Sequence, residues 1–129
     1  MVITTKQIIM AKILVAEDDE YLKELYSIFL KAVNHEIVIA SSGNEVRKTL
    51  FSFTPDVVLL DVMLGNDDGR KICKEIKQKK KDVKIILLSA DDKLLADYKA
   101  YEADAVIPKP FRLHEVLQMI DNLLRNDAA

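Results

Sequence analysis

The chain has 129 residues, half of them hydrophobic, which is enough for one domain around one core and too few for a second. Its 19 basic and 21 acidic residues leave a formal charge of −2, giving no overall basicity toward nucleic acid and no acidic excess for a disordered tail. A lone cysteine, Cys73, excludes an internal disulfide framework, and no stretch is apolar for long enough to span a membrane or act as a signal peptide, so a protein of the cytoplasm is expected.

In chain order, residues 1–11 ("MVITTKQIIMA") read as an N-terminal extension, and "MAKILVAEDDE" would itself make a normal domain start at Met10. The domain is expected over residues 12–126, with a tail over 127–129. A strand over 12–16 ("KILVA") leads to a helix whose apolar stripe is Leu22, Leu25, Ile28, Phe29 and Ala32. A second strand (36–40, "EIVIA") precedes a helix over 43–53 with Val46, Leu50 and Phe53 inward. Pro55 closes that helix ahead of a strand over 57–60 ("VVLL"), and Gly65 and Gly69 bracket the loop that follows. A helix over 69–80 buries Ile72 and Ile76 and packs Cys73. Its lysine-rich end, Lys77 to Lys84, has no interleaved aromatics and reads as a solvated helix terminus rather than a polyanion site. A strand over 84–89 ("KIILLS"), a helix over 93–101 (Leu94, Leu95, Tyr98, Tyr101), a strand over 105–107 ("AVI") and a helix carrying Leu113, Val116, Leu117, Ile120 and Leu124 complete the chain.

Most of these strands lack polar alternation, as expected where both faces of a sheet are covered. The repeated βα alternation therefore predicts an α/β, doubly wound, five-stranded parallel sheet with five helices on both faces. In such sheets ligands bind beyond the carboxyl ends of the strands. Those ends read Glu17-Asp18-Asp19, Asp61, Ser89-Ala90 and Pro108-Lys109-Pro110. Two carboxylates about 5 Å apart repel by roughly 3 kcal/mol at an effective dielectric of ~20, so the acidic cluster calls for a cation. Lysine is one candidate and Mg²⁺, which suits two or three carboxylates and a phosphate, is the other. A carboxylate nucleophile with a metal, a lysine and a hydroxyl is equipment for accepting a phosphoryl group, for which small Ala90 leaves room.

With these residues assembled, the sequence resembles the response-regulator receiver domain of two-component signalling, through "ILVAEDDE" (13–20), "PDVVLLDVMLGNDDG" (55–69), "IILLSA" (85–90) and "KPF" (109–111). The resemblance covers Lys12 to about Arg125 and implies a flavodoxin-like sheet of order 2-1-3-4-5. It implies phosphorylation of Asp61 by a sensor histidine kinase or phosphotransfer protein, with Mg²⁺ held by Asp18, Asp61 and the Met63 carbonyl and reached through water by Glu17. Ser89 and Lys109 match the phosphoryl-sensing hydroxyl and lysine, and the Lys109–Pro110 bond is expected to be cis. Such a domain catalyses only its own phosphotransfer and is expected as a stand-alone receiver, a monomer or weak homodimer, passing its signal to a protein on the helix 4–strand 5–helix 5 face.

The chain departs from the family pattern at Gly65, where proline is usual, at Glu102, where glycine is usual, and in a slightly short segment between Ser89 and Lys109 that predicts an altered fourth helix. Val106 stands where the family has an inward-turning aromatic, so the signal is expected to leave through the loop after Ser89 and the fourth helix, with Tyr98 or Tyr101 as reporter. Rival readings are weaker. A calcium loop over Asn66, Asp68, Gly69 and Glu75 would need a ligand at Leu64, and a haloacid-dehalogenase-type phosphatase would need an acid at Met63. A pseudo-receiver that docks without phosphorylation remains the binding-module alternative.

Overall fold

The computed structural model describes residues 10–127, so most of the expected extension lies outside the described residues. The elements are β1 (Lys12–Ala16), α1 (Glu20–Ala32), β2 (Glu36–Ala40), α2 (Gly43–Thr49), β3 (Val57–Asp61), β4 (Met63–Leu64), β5 (Asp67–Asp68), α3 (Gly69–Lys79), β6 (Lys84–Ser89), α4 (Asp92–Leu95), a 3₁₀ turn (Tyr98–Tyr101), β7 (Ala105–Pro108) and α5 (Leu113–Asp127). The five long strands form one parallel sheet in the order β2-β1-β3-β6-β7, which is the predicted order 2-1-3-4-5, while β4 and β5 make a separate two-stranded hairpin.

Alternate side chains of the strands feed two cores, because successive residues of a strand point to opposite faces. Leu14, Ala16, Val58, Leu60, Ile85 and Leu87 meet Val46 of α2, Ile72 and Ile76 of α3 and Leu95 of α4. Ile13, Val15, Val57, Leu59, Ile86 and Leu88 meet Tyr26 and Leu30 of α1 and Val116 and Ile120 of α5. With both faces covered, every residue of β3 is buried, and truncating Leu59 or Leu60 to alanine is expected to cost about 2–5 kcal/mol. Side-chain caps start four of the helices: Asp19 accepts from the Leu22 amide, Ser42 from Glu45, Asp68 from Arg70 and Asp91 from Lys93.

Several expectations shift. The buried residues of α1 are Tyr26 and Leu30, whereas Ile28 is 64% exposed and Ala32 is also exposed. The second helix stops at Thr49, and the chain reaches Phe53 through turns in which the amides of Phe51 and Ser52 bond to the carbonyls of Lys48 and Thr49. The fourth helix breaks into α4 and the 3₁₀ turn. A 3₁₀ turn rises about 2.0 Å per residue against about 1.5 Å for an α-helix, so it carries a short segment further along the sheet. Glu102, which ends this turn, adopts a left-handed φ of 66°, the conformation that favours glycine. Lys77 is not a solvated helix end: it is buried, and its ammonium lies 2.7 Å from Asp104, whose carboxylate also accepts the Ile85 amide.

Candidate functional site

The carboxyl ends of β1, β3 and β7 converge, and local backbone bonding gives each acid of the Glu17-Asp18-Asp19 run a different task. The Glu17 amide still donates to the Ala40 carbonyl at 3.0 Å, so its side chain is held at the strand edge with 2% exposure. Glu17 Oε2 accepts from the amides of Asp18 (3.0 Å) and Asp19 (3.2 Å). Asp18 Oδ2 accepts from the Gly65 amide at 3.1 Å and so ties β1 to the hairpin turn. Asp19 caps α1.

Asp61 closes β3 and is 6% exposed. Its Oδ1 accepts from the Met63 amide at 3.2 Å, and its Oδ2 lies 2.9 Å from the Lys109 ammonium. The hairpin β4–β5 turns at Gly65, whose φ of +59° is closed to proline, so the turn differs in backbone from one carrying the residue usual in the family. Directly after the hairpin, the Gly69 amide donates to the Val62 carbonyl at 2.7 Å, and a Cβ on Gly69 would lie 2.1 Å from the Asp61 carbonyl oxygen. Only glycine lets α3 start this close to the end of β3.

Lys109 reaches the cluster because its own amide donates to the Ser89 carbonyl at 2.8 Å, extending the β6–β7 pairing by one residue. Its ammonium contacts Glu17 Oε1 at 3.2 Å as well as Asp61. The following peptide bond, Lys109–Pro110, is cis, and Phe111 stacks on Tyr26 of α1 with ring centroids 6.1 Å apart. Ser89 is buried, its hydroxyl accepting from the Asp91 amide at 3.0 Å, and Ala90 beside it is exposed. Val106 is half-buried and packs against the same core as Leu94 and Tyr98.

Burial, followed by the Asp61 charge, pushes the Glu17 carboxyl up from 4.5 to about 7, although the Asp19 amide and the Lys109 charge act in the other direction. Burial works against the Lys109 ammonium, but its hydrogen bond to Asp61 and the charges of Asp61 and Glu17 outweigh that penalty and raise its pKa. The Tyr26 hydroxyl is also raised, by burial first and then by the charges of Glu17 and Asp61. The cluster thus holds more negative charge than one lysine offsets.

Oxygen atoms from Glu17, Asp18 and Asp61 lie within 4.8 Å of one another. Hard carboxylate oxygens at this spacing fit a divalent cation such as Mg²⁺. Of the residues singled out in the sequence, the structure brings Glu17, Asp18, Asp61 and Lys109 together directly, with Met63 attached through its amide and Ser89 at the end of the next strand. In the sequence Gly69 reads as a loop bracket, and Tyr26 falls outside the apolar stripe expected for α1. The signal for Gly69 was its place directly after two acids and before a helical run.

A family model for the "Response regulator receiver domain" matches residues 13–121. Among solved structures, the response regulator TrrA from Thermotoga maritima, in complex with Mg²⁺ and beryllofluoride, is 35% identical, with a TM-score of 0.80 over 88% of this chain and 99% of that one. The beryllofluoride-activated receiver domain of DrrB, also from Thermotoga maritima, is 28% identical, with a TM-score of 0.81 over 91% and 99%. NtrX from Brucella abortus, at 22% identity and a TM-score of 0.85, shares the fold over 92% of this chain, which spans only 27% of the NtrX chain. The family match extends across β1, β3, β6 and β7, the strands whose ends build the acidic cluster and place its lysine, and the chain belongs to the response regulator receiver domains of two-component systems.

Proposed function

We propose that this receiver domain accepts a phosphoryl group on Asp61 from a sensor histidine kinase or a phosphotransfer protein and relays the signal as a stand-alone protein of the cytoplasm. The observation that carries the reading is the approach of the Lys109 ammonium to Asp61 Oδ2 at 2.9 Å, beside the carboxylates of Glu17 and Asp18. An Asp61 oxygen forms the new bond to phosphorus while the P–N bond of the donor breaks and its electron pair stays on the imidazole. The Met63 amide holds the other end of the carboxylate and fixes its plane. Lys109 supplies charge against the equatorial phosphoryl oxygens, Ser89 supplies a hydroxyl donor, and exposed Ala90 leaves the entry open.

Asp18, Asp61 and the Met63 carbonyl would hold Mg²⁺, with Glu17 acting through water; the proximity of the Glu17, Asp18 and Asp61 oxygens supports a cation here, and the similar TrrA forms a complex with Mg²⁺. When bound, the ion offsets the charge of the acidic cluster and of the incoming phosphoryl oxygens. The downstream protein is read on the face of α4, β7 and α5, and the protein itself as a monomer or weak homodimer. Weighing the intact protein after mixing with Mg²⁺ and acetyl phosphate tests the reading. A single phosphoryl adduct supports it, turnover of the donor without an adduct would point to a phosphatase, and no response would point to a docking module that works without phosphorylation.

A further inference from the structure

We infer that the groove between α2 and α3 is a docking site for an acidic, amphipathic helix of a partner protein. The groove has a volume of about 470 Å³ and an apolar floor of Val46, Leu50, Ile72 and Ile76. Phe51 stands at its edge with 92% of its surface exposed, although aromatic side chains are large contributors to buried contacts. The groove walls belong to the carboxyl-terminal ends of α2 and α3, which run opposite to the strands, so it lies at the end of the sheet away from Asp61. Docking there leaves phosphoacceptance free and does not rest on it.

Charge selects the occupant. Lys79 and Lys80 line the groove, and Lys48 follows Arg47 on α2. Among the described residues, no carboxylate lies within ion-pair reach of Lys48, Lys79 or Lys80. The one acid in the lining, Glu75, is already held by the Arg47 guanidinium through a two-point contact of 2.9 and 3.0 Å. The segment from Arg70 to Lys84 carries eight basic residues against two acidic ones, in a chain whose net charge is −2. A second copy would bring two basic rims face to face and is disfavoured. A flat membrane could receive Phe51 but would leave the concave floor unfilled, and a nucleic acid would meet an apolar floor with a single aromatic to stack on. A helix with an apolar ridge at i, i+3, i+4 and i+7 and acidic flanks fits both the floor and the rim.

The test uses the full chain and a synthetic amphipathic helical peptide with a leucine ridge and glutamate flanks, beside a matched peptide with lysine flanks. Amide chemical shifts should move in residues 46–51 and 72–80 with the acidic peptide, and the basic peptide should bind about tenfold more weakly or worse. Phe51→Ser and the pair Lys79→Glu/Lys80→Glu should each weaken the acidic peptide by about tenfold while leaving phosphoryl uptake from acetyl phosphate and the melting temperature near those of the parent. Equal binding of the two peptides, shifts centred outside the groove, or variants without effect would overturn the inference. So would a dimer that Phe51→Ser dissolves, or tighter binding to anionic vesicles or duplex DNA than to the acidic peptide.

Discussion

Lys109 and Asp61 meet at 2.9 Å although they stand 48 positions apart in the chain and at the ends of β7 and β3, strands that β6 separates in the sheet. The contact therefore depends on the sheet order, and the same ammonium also reaches Glu17 on the far side of β3. One cation thus holds together the two buried carboxylates that a divalent ion would also need.

On the proposed ligand set, in which Mg²⁺ would meet the carboxylates that Lys109 contacts, Lys109→Met should lower metal-free stability by about 2 kcal/mol and should gain more stability from added Mg²⁺ than the parent does. Thermal melts of both proteins across a Mg²⁺ titration check this. Equal gains in the two proteins would mean that the ion and the ammonium do not share ligands.

Gly69→Ala places a Cβ against the Asp61 carbonyl, a backbone atom that cannot turn aside. A loss of about 2–4 kcal/mol is expected in urea unfolding, well beyond the alanine effect at an ordinary first helical position. A loss below about 0.5 kcal/mol would show that α3 can retreat from β3 at little cost.

His35 is buried and accepts the Ala11 amide through Nδ1 at 3.1 Å. Burial lowers its pKa below 6.5, with Asp121 opposing the shift. The unfolded chain then binds the proton more readily than the folded one, so this group's contribution is whole above about 6.5 and falls away as pH drops toward its lowered folded value. Glu17 titrates in the same region with the opposite sign, so the useful quantity is a difference between variants. The stability gap between the parent and His35→Gln should shrink as pH falls from about 7 to about 5. A gap that widens over that range would contradict the assignment.

Val106 is β-branched and packs against the same core as Leu94 and Tyr98, so it cannot reproduce a large ring movement. Tyr101 lies 5.0 Å beneath the Arg70 guanidinium, so a cation–π contact joins the 3₁₀ turn to the start of α3, just past the hairpin. Adding beryllofluoride and Mg²⁺ should therefore shift amide resonances over 91–101 more than at Val106. Large changes centred on Val106 with that segment unmoved would contradict this route.

Strands were legible because a sheet covered on both faces writes its members as unbroken apolar runs, and the ends of those runs named the converging side chains before any contact was visible. The phase of α1 was not legible: Tyr21, Leu22, Leu25, Tyr26, Ile28, Phe29 and Leu30 place apolar or aromatic groups on nearly every side, so only packing decides that Tyr26 and Leu30 turn inward. The burial of Lys77 was equally hidden, since its partner Asp104 is supplied by the turn before β7. The short segment between Ser89 and Lys109 pointed to an altered fourth helix, but helical spacing over 93–101 did not tell that the alteration is a 3₁₀ turn.

The central claim, that Asp61 is the phosphoacceptor, is tested most directly by mapping the product of Mg²⁺ and acetyl phosphate in the parent and in Asp61→Asn. That substitution keeps the side-chain shape and removes the nucleophilic oxygen. The account predicts one phosphoryl group on the peptide that carries Asp61, dependent on Mg²⁺, and none in the variant. A variant that still takes up phosphate, or a parent modified on another peptide, would contradict it.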